Sequence, residues 1–229
     1  MTKSGHPDFD LMLFDLDGTL METSGELAAA VNDTLREMGL APVTREQVDR
    51  WVGHGTRALL AQALAFARGS SLAAERESPR FAALVETFDR HYERRCGTNS
   101  RLYPHVEEVL RGLSKIGVIL AVITNKDAHF AHLLLQTHKV ASWFGMVVGG
   151  DTLPVKKPDP AAVVQAMQRY CVSPKRTLFV GDSAVDVATA RNAGVPVWAL
   201  PYGYNMGRAI EDSKPNRVIE DFRALLPGI

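Results

Sequence analysis

Residues 11–20 read LMLFDLDGTL, in which four apolar residues lead directly into Asp15 and a second acid, Asp17, follows two positions later. The apolar run is typical of a β-strand that is covered on both faces. Two carboxylates so close together repel each other, and their burial is costly unless other groups compensate the charge. We therefore expect the rest of the chain to supply positive charge to this pair.

Four further apolar runs predict strands of the same buried kind, at residues 118–124, 146–149, 177–181 and 195–200. Helical patterns, recognised by apolar residues spaced i, i+3, i+4 and i+7, fall between the later strands. They cover residues 106–113, 129–139, 160–170 and 184–192. This alternation indicates an α/β fold with a Rossmann-like, doubly wound parallel sheet.

The segment between Leu20 and about Cys96 interrupts the alternation and contains no convincing strand. Helices are predicted there at residues 26–37, 45–52, 56–67 and 79–94, with a turn at 69–71. An insertion of this length is too long for a loop inside a compact domain. We therefore expect a core domain made of residues 1–20 and 97–229, and an inserted helical cap domain made of residues 21–96.

Composition excludes several classes of protein. Lys and Arg together number 26, as do Asp and Glu, so the net charge is zero and nothing favours nucleic acid as a partner. No apolar run approaches the length of a membrane span, and the first ten residues lack the apolar region of a signal peptide. The two cysteines show no paired spacing. We expect a cytoplasmic monomer or homodimer with reduced thiols and no membrane partner.

Polar residues follow the predicted strands, at the edge of the sheet where open α/β proteins bind ligands. They are Asp15, Asp17, Thr124, Asn125, Lys157, Asp182, Ser183 and Asp186. Each has an ordinary structural explanation as a helix N-cap, a turn former or a solvated charge. Together, at one edge of one sheet, they indicate a catalytic site.

The chemistry that uses such a set is phosphoryl transfer through an acyl-phosphate. Asp15 is the candidate nucleophile, and Asp17 can protonate the leaving oxygen and later take a proton from water. Several carboxylates beside a phosphate need a cation, and Mg²⁺ fits because it prefers oxygen ligands. Asp182 is a natural metal ligand, while Thr124 and Lys157 would hold the phosphate oxygens.

Four segments resemble, in order, the four motifs of the haloacid dehalogenase (HAD) superfamily. They are DLDGT at residues 15–19, ITN at 123–125, KKPDP at 156–160 and GDSAVD at 181–186. The resemblance covers essentially the whole chain, including a helical cap after the first motif. It implies Mg²⁺ bound by the side chains of Asp15 and Asp182 and by the backbone carbonyl of Asp17.

The resemblance also implies roles for the remaining motif residues. The phosphate-binding residues would be Thr124, Asn125 and Lys157, with Lys157 rather than Lys156 as the motif lysine. The residues expected to support the metal from its outer shell are Ser183 and Asp186, the second of them through water.

Within the superfamily, residues 51–60, 149–163 and 201–222 are similar to bacterial phosphatases of 2-phosphoglycolate. This implies a Mg²⁺-dependent phosphomonoester hydrolase whose partner is a small phosphorylated metabolite. In the cap, His54 and Arg57 lie beside glycines that let backbone approach a ligand, and either could pair with the glycolate carboxylate. An ordinary exposed position on a helix is an equally good explanation for Arg57.

Two alternatives remain open. The protein could apply the same chemistry to another small phosphorylated metabolite, such as a sugar phosphate, either as a phosphatase or as a phosphomutase. A phosphoacceptor signalling module would also combine an α/β fold, an acidic pocket, a Thr and a Lys. Against the signalling alternative, Asp17 supplies a built-in acid/base and the cap encloses the site.

Overall fold

The computed structural model describes residues 8–226. In this part of the chain one sheet has six strands, all paired in parallel, and a second sheet is a two-stranded antiparallel pair. In chain order the strands are β1 (Leu11–Phe14), β2 (Met21–Glu22), β3 (Arg101–Leu102), β4 (Ile119–Ile123), β5 (Phe144–Val148), β6 (Thr177–Gly181), β7 (Val197–Ala199) and β8 (Arg217–Val218).

The opening motif follows the central strand of the six-stranded sheet, whose order is β5-β4-β1-β6-β7-β8. Side chains alternate between the two faces of a strand, so Met12 and Phe14 of β1 join one buried apolar cluster and Leu11 and Leu13 join the other. Both faces are covered, which explains why β1 is continuously apolar rather than alternating.

The described residues form nine α-helices, and the last four of them cover the two faces of this sheet. In chain order they are α1 (Ser24–Glu37), α2 (Arg45–Asp49), α3 (Thr56–Arg68), α4 (Leu72–Glu77), α5 (Phe81–Arg95), α6 (Val106–Lys115), α7 (Ala128–Thr137), α8 (Ala161–Tyr170) and α9 (Ala184–Ala193). Apolar residues of α6 and α7 belong to the cluster of Phe14, and those of α8 and α9 to the cluster of Leu13. The predicted α/β fold with a doubly wound parallel sheet is confirmed.

Five of the helices, α1 to α5, lie between β2 and β3. Helix α1 packs against α5, α2 and α3, and its buried Leu27 and Val31 share a cluster with Phe88 and Tyr92 of α5. This helical insertion matches the cap expected from the sequence. The exact domain boundaries stay a prediction, and their outer ends, residues 1–7 and 227–229, lie outside the described residues.

Some local expectations were wrong. Met21–Glu22 is a strand, although no strand was expected between Leu20 and about Cys96. A strand of two residues is too short to show an alternating pattern, and its partner, Arg101–Leu102, follows only after the whole cap. The two strands lie where the chain leaves the core for the cap and where it returns, and their pairing holds these two segments together. Helix α4 and strand β8 were also not predicted, since both are too short to establish a period.

Among the helices in residues 8–226, none has both the length and the apolar character needed to cross a bilayer.

Candidate active site

The two acids of the opening motif lie at the carboxyl end of β1. Asp15 continues the line of the strand, since its N–H donates to the carbonyl of Val180 over 3.0 Å. The chain then turns back, and the N–H of Leu20 donates to the carbonyl of Leu16 over 3.0 Å. This turn leaves Asp15 and Asp17 on the wall of the same cavity.

Gly18 allows two loops of the site to touch. Its φ of 88° lies in the left-handed region that favours glycine, and a Cβ at this position would overlap the carboxylate of Asp182. Asp182 belongs to the loop that follows β6, the neighbour of β1. The glycine of DLDGT therefore lets Asp182 lie against the loop that carries Asp15.

Lys157 provides the positive charge that the paired acids require. Its Nζ lies 2.8 Å from Oδ1 of Asp15 and 2.7 Å from Oδ1 of Asp186, and all three side chains are buried. Burial disfavours the charged lysine, but the two carboxylates more than offset this and raise the pKa of Lys157. Lys156 is exposed instead, and its Nζ donates to the carbonyl of His54 over 2.8 Å. The structure thus brings Lys157, and not Lys156, to Asp15.

Asp186 holds the loop after β6 in place. Its Oδ2 accepts hydrogen bonds from the N–H of Asp182 over 3.2 Å, the N–H of Ser183 over 3.0 Å and the hydroxyl of Ser183 over 2.6 Å. Ser183 also caps α9 in a reciprocal capping box with Asp186. The ordinary N-cap explanation for Ser183 is therefore correct, and the same contacts place it beside the acidic cluster.

The carboxylate of Asp182 is fixed from two sides. One oxygen accepts a hydrogen bond from the hydroxyl of Thr19, and the other accepts from the N–H of Tyr204 over 2.6 Å. Burial, followed by repulsion from Asp186 and Asp15, raises the pKa of Asp182 well above its ordinary value. Burial likewise raises the pKa of Asp15 to about 6, against the attraction of Lys157.

The acidic cluster fits a divalent cation. One oxygen from each of Asp15, Asp182 and Asp186 lies within 4.8 Å of the others. Lys157 contacts two of these three buried carboxylates, those of Asp15 and Asp186, so the cluster carries excess negative charge that a cation would offset. Oxygen donors of this kind suit Mg²⁺. Asp186 has the more saturated carboxylate, since one oxygen accepts from Lys157 and the other from three donors, whereas each oxygen of Asp182 accepts one hydrogen bond. Asp15 and Asp182 are therefore the better ligand candidates.

Asp17 is held by two residues to which the sequence analysis assigned no role. Its Oδ1 accepts a hydrogen bond from the hydroxyl of Thr23 over 2.6 Å and lies 3.0 Å from Nζ of Lys126. The Lys126 side chain is only 4% exposed, and its Nζ lies 4.9 Å from the ring centre of Tyr92 in α5. The sequence offers one clue to Lys126, its place directly after ITN, and none to Thr23.

Thr124 and Asn125 are buried and line the cavity of Asp15 and Asp17, as expected for strand-end residues. The side-chain nitrogen of Asn125 donates to the carbonyl of Gly53 over 3.0 Å and to that of Lys157 over 3.1 Å. Asn125 therefore ties the cap loop to the core. The phosphate-binding role of these residues stays a prediction.

The two cap candidates lie beside a different cavity. His54 and Arg57 line it together with Arg76 and Lys156, whereas the cavity of Asp15 is lined on its cap side by Gly53, Gly55 and Thr56, together with Val52 and Leu59. Burial, followed by repulsion from Lys156, lowers the pKa of His54. These two residues do not line the cavity of Asp15 and Asp17, although their own cavity is also lined by Lys157, and their contact with substrate stays a prediction.

Comparison with known proteins gives consistent results. The phosphoglycolate phosphatase of Pseudomonas putida KT2440 is 46% identical over 218 residues, covering 95% of this chain and 79% of the relative. That of Pseudomonas fluorescens Pf-5 is 43% identical, with the same coverage. The crystal structure of a predicted phosphoglycolate phosphatase from Haemophilus somnus 129PT superposes with a TM-score of 0.90 at 36% identity, covering 97% of this chain and 98% of that one.

The model of the haloacid dehalogenase-like hydrolase family matches residues 12–200. The match begins in β1 and ends just after β7, so it includes all four motifs and the helical insertion. Together with the geometry at the carboxyl end of β1, it establishes that the chain belongs to the haloacid dehalogenase-like hydrolase family.

Proposed function

We propose that the protein is a Mg²⁺-dependent phosphatase that hydrolyses 2-phosphoglycolate to glycolate and phosphate. The observation that carries the proposal is the buried contact between Asp15 and Lys157, beside a cavity that Asp17 also lines. The relatives named phosphoglycolate phosphatase, at 46% and 43% identity, support the choice of substrate.

The first step transfers the phosphoryl group to the protein. A carboxylate oxygen of Asp15 attacks phosphorus, and the bond between phosphorus and the glycolate oxygen breaks as the new bond forms. Asp17 gives its proton to the departing glycolate oxygen. The product of this step is glycolate, with the phosphoryl group on Asp15.

The second step returns the protein to its starting state. Asp17, now a carboxylate, takes a proton from water while the water oxygen attacks phosphorus. The bond between phosphorus and Asp15 breaks, and phosphate leaves. A single acid/base group therefore serves both steps, which is why its position on the same cavity wall as Asp15 matters.

Positive charge and hydrogen-bond donors would hold the phosphate during both steps. Lys157 lies beside Asp15 and can pair with the phosphate oxygens, with the hydroxyl of Thr124 as a further donor. Since the side-chain nitrogen of Asn125 already donates to two carbonyls, its backbone N–H is the group left for phosphate. When bound by Asp15, Asp182 and the Asp17 carbonyl, Mg²⁺ would supply further positive charge to these oxygens.

The supporting residues have separate tasks in this scheme. Asp186 orients Lys157 through one carboxylate oxygen, and through the other it orients Ser183 and the backbone of the metal-binding loop. Thr23 and Lys126 keep the Asp17 carboxyl in the cavity. Pre-organisation of this kind is what positions a nucleophile and an acid for in-line transfer.

Phosphate release from a panel of phosphorylated metabolites, with Mg²⁺ or with a chelator, tests the proposal. We expect 2-phosphoglycolate to be the best substrate, with activity lost in the chelator and in Asp15→Asn. Isomerised product without phosphate release would indicate a mutase, and a different best substrate would replace 2-phosphoglycolate. Equal activity of wild type and Asp15→Asn would refute the mechanism. A long-lived phosphorylated wild-type protein without turnover would favour the signalling alternative.

A further inference from the structure

The catalytic cavity contains a cation that the scheme above uses only to hold Asp17. Of the described residues that line the cavity of Asp15 and Asp17, Lys126 is the only basic one. The remaining lining on the cap side is mostly apolar: Leu27, Val52 and Leu59, with Gly53, Gly55 and Thr56. A leaving group that carries negative charge would find its counter-charge in this cavity at Lys126.

The burial of Lys126 makes this position unusual for a lysine. Its ammonium group lies in the interior, where it contacts Asp17 at 3.0 Å and the face of Tyr92 at 4.9 Å. Its charge also acts on Glu26 of α1, where it lowers the pKa against the larger effect of burial. A cation with little water around it interacts strongly with any further anion that enters the cavity.

The chemistry of the substrate places that anion next to Lys126. Asp17 must reach the ester oxygen of the substrate to protonate it. In 2-phosphoglycolate a single methylene separates this ester oxygen from the carboxylate. A group that is hydrogen-bonded to Asp17 therefore lies within reach of the carboxylate, as Lys126 does.

We propose that Lys126 is the specificity-determining residue that binds the carboxylate of the substrate, and that the substrate class is the phosphate ester of a short 2-hydroxy acid. This inference rests on the proposed function. The apolar side chains of Leu27, Val52 and Leu59 would surround the carbon chain and limit its length. The inference differs from the assignment of carboxylate recognition to His54 and Arg57, which line the neighbouring cavity.

The test compares 2-phosphoglycolate with 2-hydroxyethyl phosphate, in which a neutral hydroxymethyl group replaces the carboxylate. The measured quantity is the ratio of kcat/KM for the two substrates. Lys126→Gln keeps a donor for Asp17 but removes the charge, and we expect it to lower the ratio by about 30-fold or more, because loss of one partner of a buried charge pair is costly. Lys126→Met should lower the ratio in the same direction, and Lys126→Arg should retain part of it.

Arg57→Met tests the rival assignment to the cap, since it removes a cation from the neighbouring cavity. We expect it to change the ratio by less than about 3-fold. A ratio that Lys126→Gln and Lys126→Met leave intact while both rates fall would mean that Lys126 only positions Asp17, and the inference would be overturned. Collapse of the ratio in Arg57→Met would overturn it in favour of the cap.

The wild type separates this inference from the proposed function. A wild-type enzyme that does not prefer 2-phosphoglycolate to the neutral ester would overturn the proposed substrate, and the inference with it. A wild-type preference that survives in folded Lys126 variants would overturn the inference alone. Far-UV circular dichroism and thermal unfolding establish which variants are folded.

Discussion

The ammonium group of Lys157 lies 2.8 Å from Oδ1 of Asp15, and both side chains are almost completely buried. Lys157 reaches Asp186 as well, so one cation serves two carboxylates, with a third, Asp182, close by. A buried cation shared in this way is difficult to replace, because its loss leaves uncompensated charge in the interior.

Replacement of Lys157 should therefore affect stability as well as activity. We expect Lys157→Met to lower the free energy of unfolding at neutral pH by about 3–5 kcal/mol, as for other broken buried ion pairs, and to abolish most activity. The deficit should shrink at low pH, because the carboxylates left behind can then take up protons. Denaturant unfolding at several pH values measures both effects.

Lys156→Met provides the matched control, since it removes the adjacent, exposed lysine, which donates to the carbonyl of His54. We expect it to change the free energy of unfolding by less than about 1 kcal/mol. Equal losses in the two variants would contradict the assignment of Lys157 as the buried partner of Asp15.

The acidic cluster should make metal stabilisation depend on pH. In the metal-free protein, burial raises the pKa of Asp15 from its ordinary value of 3.8 to about 6, and it raises the pKa of Asp182 as well. A raised pKa in the folded state contributes stability that is full below the ordinary value and lost as the pH rises through about 6. Mg²⁺ needs the ionised carboxylates, so its stabilisation should grow over the same interval.

Thermal unfolding with Mg²⁺ and with a chelator tests this dependence. We expect Mg²⁺ to raise Tm more at about pH 7.5 than at about pH 5. Asp182→Asn should remove most of the increase at the higher pH. The same increase at both pH values, or in wild type and variant alike, would show that Mg²⁺ does not bind at these carboxylates.

Gly203 should affect Mg²⁺ binding although it supplies no ligand atom. The N–H of the next residue, Tyr204, donates to Oδ2 of Asp182 over 2.6 Å, and a Cβ on Gly203 would overlap the same oxygen. We expect Gly203→Ala to displace the Asp182 carboxylate and to raise the Mg²⁺ concentration for half-maximal activity by roughly 10–100-fold. Titration of activity with Mg²⁺ measures the change.

A control for Gly203→Ala is Gly112→Ala in α6, where a Cβ would meet only the flexible side chain of Leu226. The Mg²⁺ requirement of this variant should match that of the wild type. An unchanged Mg²⁺ requirement in Gly203→Ala would mean that the loop accommodates the added methyl group without displacing Asp182.

The sequence was sufficient to predict five of the six strands of the sheet and the common edge at which the candidate site residues lie, because both depend on local patterns. The two-residue strand β8 was missed, and the roles of the site residues stay a prediction. Apolar runs predict the strands, and parallel pairing then brings the residues after β1, β4 and β6 to one edge. The contact between Lys126 and Asp17 could not be predicted, since a lysine after a strand can equally point into solvent. Its burial depends on Tyr92 of the cap, which is distant in sequence.

The cap was predicted as a helical unit, but the side chains it turns toward the site were not. Gly53 and Gly55 reach the catalytic cavity while His54, between them, lines the neighbouring one. These residues lie in a turn that leads into α3, and a turn has no hydrophobic period from which its faces could be read.

These two cap glycines allow steric contact to be separated from backbone strain. Both have φ in the left-handed region, 117° for Gly53 and 88° for Gly55. A Cβ on Gly55 would lie 2.8 Å from the backbone oxygen of Asn125 and 2.9 Å from Nζ of Lys156, whereas one on Gly53 would have no atom within 4 Å. A Cβ at Gly55 would therefore clash with the core, whereas one at Gly53 would not.

Alanine is strained at both positions because both have positive φ, at a cost on the order of 1–3 kcal/mol each, so both variants should lose thermal stability. Gly55→Ala should in addition push the cap loop away from Asn125 and displace the wall of the catalytic cavity. Because small displacements of positioning groups reduce the rate strongly, we expect kcat/KM to fall by roughly 10–100-fold in Gly55→Ala and by much less in Gly53→Ala. Equal falls in kcat/KM for the two variants would show that strain in the loop, and not its close approach to the core, limits catalysis.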